Sequence, residues 1–450
     1  MSAYARAIGA CRWAVLLGLA GCAGGGALRV SDITPQSIPQ LEEARARHPG
    51  DANTLASLGV AYFKAERFGD ARQALDSAVA RDASNGIAAV YLGMATEATG
   101  DFPAARVAYT HYIAIARSGE LKETARRRLA LVGRHELEFQ ARQALAQEGT
   151  LAQAPPDANT IAVMPFSYSG TNREIQPLTR GLAQLVVTDL AKSRQVRVLE
   201  RERMQAMLAE MRLADSGRAS SATALRSGRL LRASRVVQGT IAEQGANLRV
   251  DAAVVDVATS GVAGSAGATD ALNRLFDLEK QVVLSIFNTL GIQLSDQERA
   301  SINQRPTQNV QAFLAYSRGL EAEDRGDFNG ARDAFGEAAG LDPSFRAAAQ
   351  GSSAAGDLSI AAQQTTAQVE AVVVQNQAAE GGTGVTEDAR RDALQQATNN
   401  VTPTQTAQTN TEQTQQQSQA PNRQPQAETT NTQGPRPPTG TVVIVIRRPQ

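Results

Sequence analysis

A chain of 450 residues has room for two or three domains. Its 45 basic residues are balanced by 45 acidic ones, so no cationic excess argues for nucleic acid as a partner. Two cysteines and three histidines leave little material for a disulfide framework or a metal site.

The amino terminus divides into three zones. Arg6 and Arg12 make a basic start, Trp13 to Leu19 a short apolar run, and Leu19-Ala20-Gly21 sets small residues before Cys22. The run is far too short to span a bilayer as a helix, so residues 1–21 read as a signal peptide. Leu-Ala-Gly-Cys resembles the lipobox of bacterial lipoproteins, which implies export, cleavage before Cys22 and acylation of that cysteine. Each buried methylene contributes about 0.8 kcal/mol, so several acyl chains hold firmly where one would not. In those lipoproteins an aspartate after the cysteine implies inner-membrane retention. Ala23 stands there instead, which implies the periplasmic face of the outer membrane. Gly24, Gly25 and Gly26 begin a flexible tether, 22–35. With Cys11 leaving in the signal peptide and Cys22 acylated, the mature chain has no disulfide.

Residues 36–150 read as helical repeats. Leu58-Gly59-x-x-Tyr62, then Ala71, Leu75 and Ala78, set a register that Leu92-Gly93, Ala105, Tyr109 and Tyr112 repeat. The 34-residue period between Gly59 and Gly93 resembles the tetratricopeptide helix-turn-helix unit. Small residues at Gly59, Gly93, Ala71 and Ala105 let paired helices approach. Two repeats leave an apolar face uncovered, and Leu121 to Ala146 is the expected cap. A third unit, 305–350, keeps the register with Gly319, Ala322, Ala331, Phe335, Ala338 and Pro343. Whether it packs on the middle domain or on the first two repeats stays open.

Pro155-Pro156 ends the helices, and strands and helices alternate over 158–294. Ile161 to Phe166 reads as a strand, Leu178 to Leu190 as an amphipathic helix, and Val196 to Leu199 as a second strand. Two helices follow, one marked by Met204, Met207, Leu208 and Met211, the other ending near Leu231. Val236 to Ile241, Leu248 to Val257 and Val262 to Ser265 predict a three-strand meander with turns at Gly245-Ala246 and Ser260-Gly261. A helix from Leu272 to Leu290 closes on Gly291. The stretch 351–440 reads as a low-complexity, largely disordered tail, with Ala/Gln-rich pieces of helical composition near Asp357 to Ala379 and Thr386 to Ala397. The end departs from it. Thr441 to Ile446 is apolar and β-branched, and 441–447 is the expected terminal strand, paired within the chain or with a partner.

"IAVMPF", "RGLAQLVVTDLAKSRQVRVLERERM", "LLRASRVVQGTI" and "LRVDAAVVDVATSGV", in this order over about 159–292, resemble the curli-production assembly/transport component (CsgG) family. The framework is also similar to the amino-terminal domain of TolB and to activator lipoproteins of penicillin-binding proteins. The resemblance implies a periplasmic α/β domain with helices on a mixed sheet. Curli channels carry two long insertions that supply membrane-crossing hairpins, and Gly245-Ala246 and the stretch after Val262 leave no room for them. Pore formation is therefore not carried over.

No nucleophile elbow, P-loop or dinucleotide fingerprint occurs. His48, His111 and His135 lack partners at metal-ligand spacing. Asp189, Asp251 and Asp256 read as residues that cap or edge elements rather than as a catalytic pair. Arg226, Arg229, Arg232 and Arg235 form a basic segment that either binds an anionic surface or is a solvated face.

The fold class expected is an α+β multidomain chain: tetratricopeptide-type repeats, a three-layer α/β domain with a mixed sheet, and a disordered polar tail. The expected role is that of a non-enzymatic, outer-membrane-anchored periplasmic adaptor or assembly factor in envelope biogenesis or export, without cofactor. Its partners would be envelope proteins, met through the repeats and the α/β domain, and the membrane, met through the lipid. A homo-oligomer stays open. The alternatives are an activator of a peptidoglycan synthase and an oligomeric secretion-channel subunit.

Overall fold

The computed structural model describes residues 29–211, 221–262 and 266–380. Cys22, the signal peptide, residues 381–440 and the terminal run 441–447 lie outside them.

Side-chain caps set the helix starts in the repeats. After α1 (Ile38–Arg47), Asp51 accepts from the Thr54 amide to open α2 (Ala52–Lys64). Next comes α3 (Phe68–Arg81). Asn85 caps α4 (Gly86–Ala98) and Asp101 caps α5 (Phe102–Ile115) in the same way. The hairpins α2–α3 and α4–α5 close on the glycines singled out above. A Cβ on Gly59 would collide with Leu75, and one on Gly93 would stand 2.7 Å from the Tyr109 ring. Helix α6 (Glu120–Ala146) covers α5 and continues into the single turn α7 (Glu148–Leu151). One difference from expectation lies at the start. Within the expected tether, 22–35, Val30 and Ile33 are buried, and Lys64 Nζ donates to their carbonyls at 2.7 and 2.8 Å. Two apolar residues in a short span give no period to read.

The sheet contains β1 (Asp157–Val163) and β2 (Ser167–Ser169), then, after α8 (Leu178–Leu190), β3 (Arg197–Val198). Helices α9 (Arg201–Glu210) and α10 (Ser221–Leu230) lead to β4 (Ala233–Gln244), β5 (Asn247–Asp256) and β6 (Ala266–Ala271). Its order is β3-β1-β4-β5-β6. The first three run parallel through helical crossovers, and β4, β5 and β6 form the antiparallel meander. Strand β2, absent from the sequence reading, pairs with β4 beyond β1, so β1 and β2 are one line broken around Pro165. Gly245, at φ +61°, makes the two-residue turn between β4 and β5. The third strand of the meander among the described residues is β6; of the expected strand 262–265, Val262 bridges Val255, and 263–265 lie outside the described residues. The connection 257–265 is no longer than one transmembrane strand of ~9–11 residues, where a hairpin needs two.

Alternation along β1 divides two cores. Ile161 and Val163 face α8, α11 (Leu275–Thr289) and, beyond α12 (Asp296–Ile302), α13 (Val310–Asp324). Ala162 and Met164 face α9, α10 and the end of α6. Helices thus lie on both faces of the mixed sheet, in three layers. Gly291, at φ +68°, ends the α11 segment.

The third repeat-like hairpin, α13 with α14 (Phe328–Leu341), packs on the middle domain through α8. Gly319 meets Phe335 as Gly59 meets Leu75. Helices α15 (Arg346–Gln363) and α16 (Thr366–Glu380) then occupy a stretch read as the start of the tail. Leu358 and Ala361 of α15 pack on Leu131 of α6, and Val369 and Val373 of α16 enter the core of the first repeats. The helical array therefore closes back on its beginning, and the α/β domain packs on α6 of its first part and α13 of its second.

Candidate interaction surfaces

The seam between α8 and α13 rests on a missing side chain. A Cβ on Gly181 would collide with Ser317 Oγ and stand 2.9 Å from Phe313. Beside it, Arg201 enters from α9 and is only 4% exposed. Its guanidinium pairs with Glu323 at 2.5 Å and with Asp324, both at the end of α13. Arg180 on α8 stands 3.6 Å from Asp324, and Arg134 on α6 donates to the Glu323 carbonyl at 3.2 Å. Burial raises both carboxyl pKa values, against the lowering pull of Arg201. Burial also opposes the Arg201 charge, but Asp324, Glu202 and Glu323 outweigh it and hold the guanidinium pKa above its usual value. Arg201 lies inside the family segment, but nothing local marked its buried pairing, because Glu323 and Asp324 are more than a hundred positions away.

Asp189, expected to cap or edge an element, is buried between two lysines, Lys280 Nζ at 2.5 Å and Lys192 Nζ at 2.7 Å. Glu279 is buried alongside, with Lys280 Nζ 3.1 Å away. Burial first, and the Asp189 charge second, push the Glu279 carboxyl up to about 8. Asp251 pairs with Arg249 at 2.7 Å, and Asp256 accepts from the Thr259 amide at 2.8 Å.

The basic segment does not form one open face. Arg226 forks onto Glu148 at 2.6 and 2.7 Å. Arg229 donates to Ser260 at 3.0 Å, Arg232 pairs with Asp157 at 2.7 Å, and Arg235 pairs with Asp256 at 2.8 Å. Three of the four charges are neutralised within the fold. His48 follows α1, His111 Nε2 lies 2.7 Å from the Ala83 carbonyl, and His135 packs on the Phe102 ring. Among the described residues no three His, Cys, Asp or Glu side chains gather as a cation site requires. Among them, too, no helix is long and apolar enough to cross a membrane.

A further contact face lies on the first repeats. Phe63 on α2 and Tyr91 on α4 meet edge to face at 5.3 Å, and Tyr91 is wholly buried. The element over this face is α16. Tyr91 donates its hydroxyl to Glu370 at 3.0 Å, and Gln377 Oε1 accepts from the Val30 amide at 2.7 Å. The sequence offered a helical composition here but no sign of what it covers.

Residues 142–274 match the family described as curli production assembly/transport component CsgG. The match begins in the last turns of α6, ahead of Pro155-Pro156, where Ala141, Ala144 and Leu145 pack under the sheet. Residues 27–86 and 57–120 match the tetratricopeptide repeat family. No curated protein matches the chain. Among solved structures, the LpoB C-terminal domain from Salmonella enterica aligns over 30% of this chain and 95% of that one, at 10% identity and a TM-score of 0.23. The chain thus carries tetratricopeptide repeats followed by a domain of the CsgG family.

Proposed function

We propose that this chain is an outer-membrane-anchored periplasmic lipoprotein, acylated at Cys22, that works as an adaptor or assembly factor in envelope biogenesis or export. It performs no catalysis, and its repeats and α/β domain present binding surfaces. The reading is supported chiefly by the CsgG-family domain being joined to repeats of a protein-binding type in one packed body. Short connections on either side of β5 speak against a membrane-crossing ring built from this domain.

Crosslinking in intact cells, followed by pull-down of the tagged chain, tests it. Envelope assembly or export proteins should be enriched over an untagged control. Enrichment of a peptidoglycan synthase would turn the reading to the activator alternative. Rings by electron microscopy with conductance in bilayers would turn it to the channel. No enrichment of any envelope protein would sink the adaptor role.

A further inference from the structure

Helix α16 has the character of a bound segment. Val369 and Val373 stand four residues apart, on one stripe, and both are buried in the cluster that holds Phe63 and Tyr91. A carboxylate, Glu370, is set next to the first valine and meets the Tyr91 hydroxyl. Gln377 closes the far end on the Val30 amide. Both α15 and α16 pack on α6, and α15 is also tied to it by charge. Asp357 of α15 pairs with Arg127 at 3.2 Å, and Arg128 of α6 donates to the Ala361 carbonyl at 3.0 Å. Only Gln364 and Thr365 join the two helices, so α16 can leave while α15 stays.

We propose that α16 is a resident ligand of the repeats. It occupies the face on which they take an amphipathic helix of a partner, one with β-branched apolar residues four apart beside a carboxylate, and the partner binds by displacing it. The identity of the partner rests on the adaptor reading, whereas the occupancy does not. The resident helix lowers the apparent affinity for the incoming one by the fraction of time the face is free.

The probe is a fluorescent synthetic peptide of residues 364–380, titrated against the full mature chain and its Val369→Asp/Val373→Asp variant. Aspartates at both positions eject the resident helix, so the variant should bind the peptide at least tenfold more tightly. Equal affinity for a variant that still melts cooperatively would overturn the proposal. Should the variant not fold, hydrogen exchange on the unmutated chain decides. Excess peptide should accelerate exchange over 369–377 at least tenfold and leave 355–361 unchanged, and unaltered exchange over 369–377 overturns the idea. Sedimentation as a dimer that exchanges α16 between copies would likewise overturn the intrachain form. Peptide binding to the opened variant, without any gain of envelope proteins in crosslinked cells, would uphold the resident helix and remove the adaptor reading.

Discussion

Gly93 and Tyr109 show how single residues hold the repeats at their spacing. The Tyr109 ring cannot step aside for a larger neighbour, because its hydroxyl donates to Glu97 at 2.8 Å and Glu97 is in turn paired with Arg128. Gly93→Leu should therefore overpack the hairpin and cost ~1–3 kcal/mol in thermal unfolding. An unchanged melting temperature would contradict that packing. Glu279 carries a different test. Its carboxyl lies near 8 in the fold against an ordinary 4.5, so the folded chain holds a proton that the unfolded chain releases. Stability from this group is complete below about 4.5 and fades as pH rises to about 8. Asp189 and Lys280 are the charged groups acting on it, and Lys192 pairs with Asp189 in turn. Relative to Glu279→Gln, the native chain should lose melting temperature across that window, and parallel pH profiles would remove the buried proton. The glycines were legible because their spacing repeats. Glu279 was not, since nothing near it in the chain announces that Asp189 lies beside it.

Between elements, the buried pairing of Arg201 with Glu323 and Asp324 fastens α9 to the end of α13. Arg201→Ala strands two buried carboxylates and should cost ~3–5 kcal/mol, read by denaturant unfolding. Protease should then cut first within 310–341, and an intact α13–α14 hairpin at equal stability would show the pairing to be dispensable. Elements with a strong period were readable in advance, among them α8, the meander turn at Gly245 and the Gly291 end of the α11 segment. Strand β6 was not legible because Ala266–Ala271 lacks β-branched residues apart from Thr269, whereas Val262, which bridges Val255, has the look of a strand start. The burial of α16, whose helical composition was legible, escaped because Val369 and Val373 are flanked by Val372 and Val374, which blur its buried stripe.

Over the whole molecule, the proposed anchor at Cys22 would decide where these surfaces work. Cys22→Ser should leave an unacylated precursor that no longer fractionates with the outer membrane, and wild-type fractionation of that variant would remove the lipid as anchor. The contact between Val30 and Gln377 joins residues 347 positions apart, so the described body begins and finishes at one pole. This has a mechanical consequence. A load applied between residue 29 and residue 380 does not cross the body or shear its helices past one another. It falls first on the contacts at that pole, the Val30–Gln377 hydrogen bond among them, and then peels α16 back toward Gln364, as a seam opens from its end. Tension of this kind would meet resistance one contact at a time, and it would leave the α/β domain and the α13–α14 hairpin unstressed until the seam had parted.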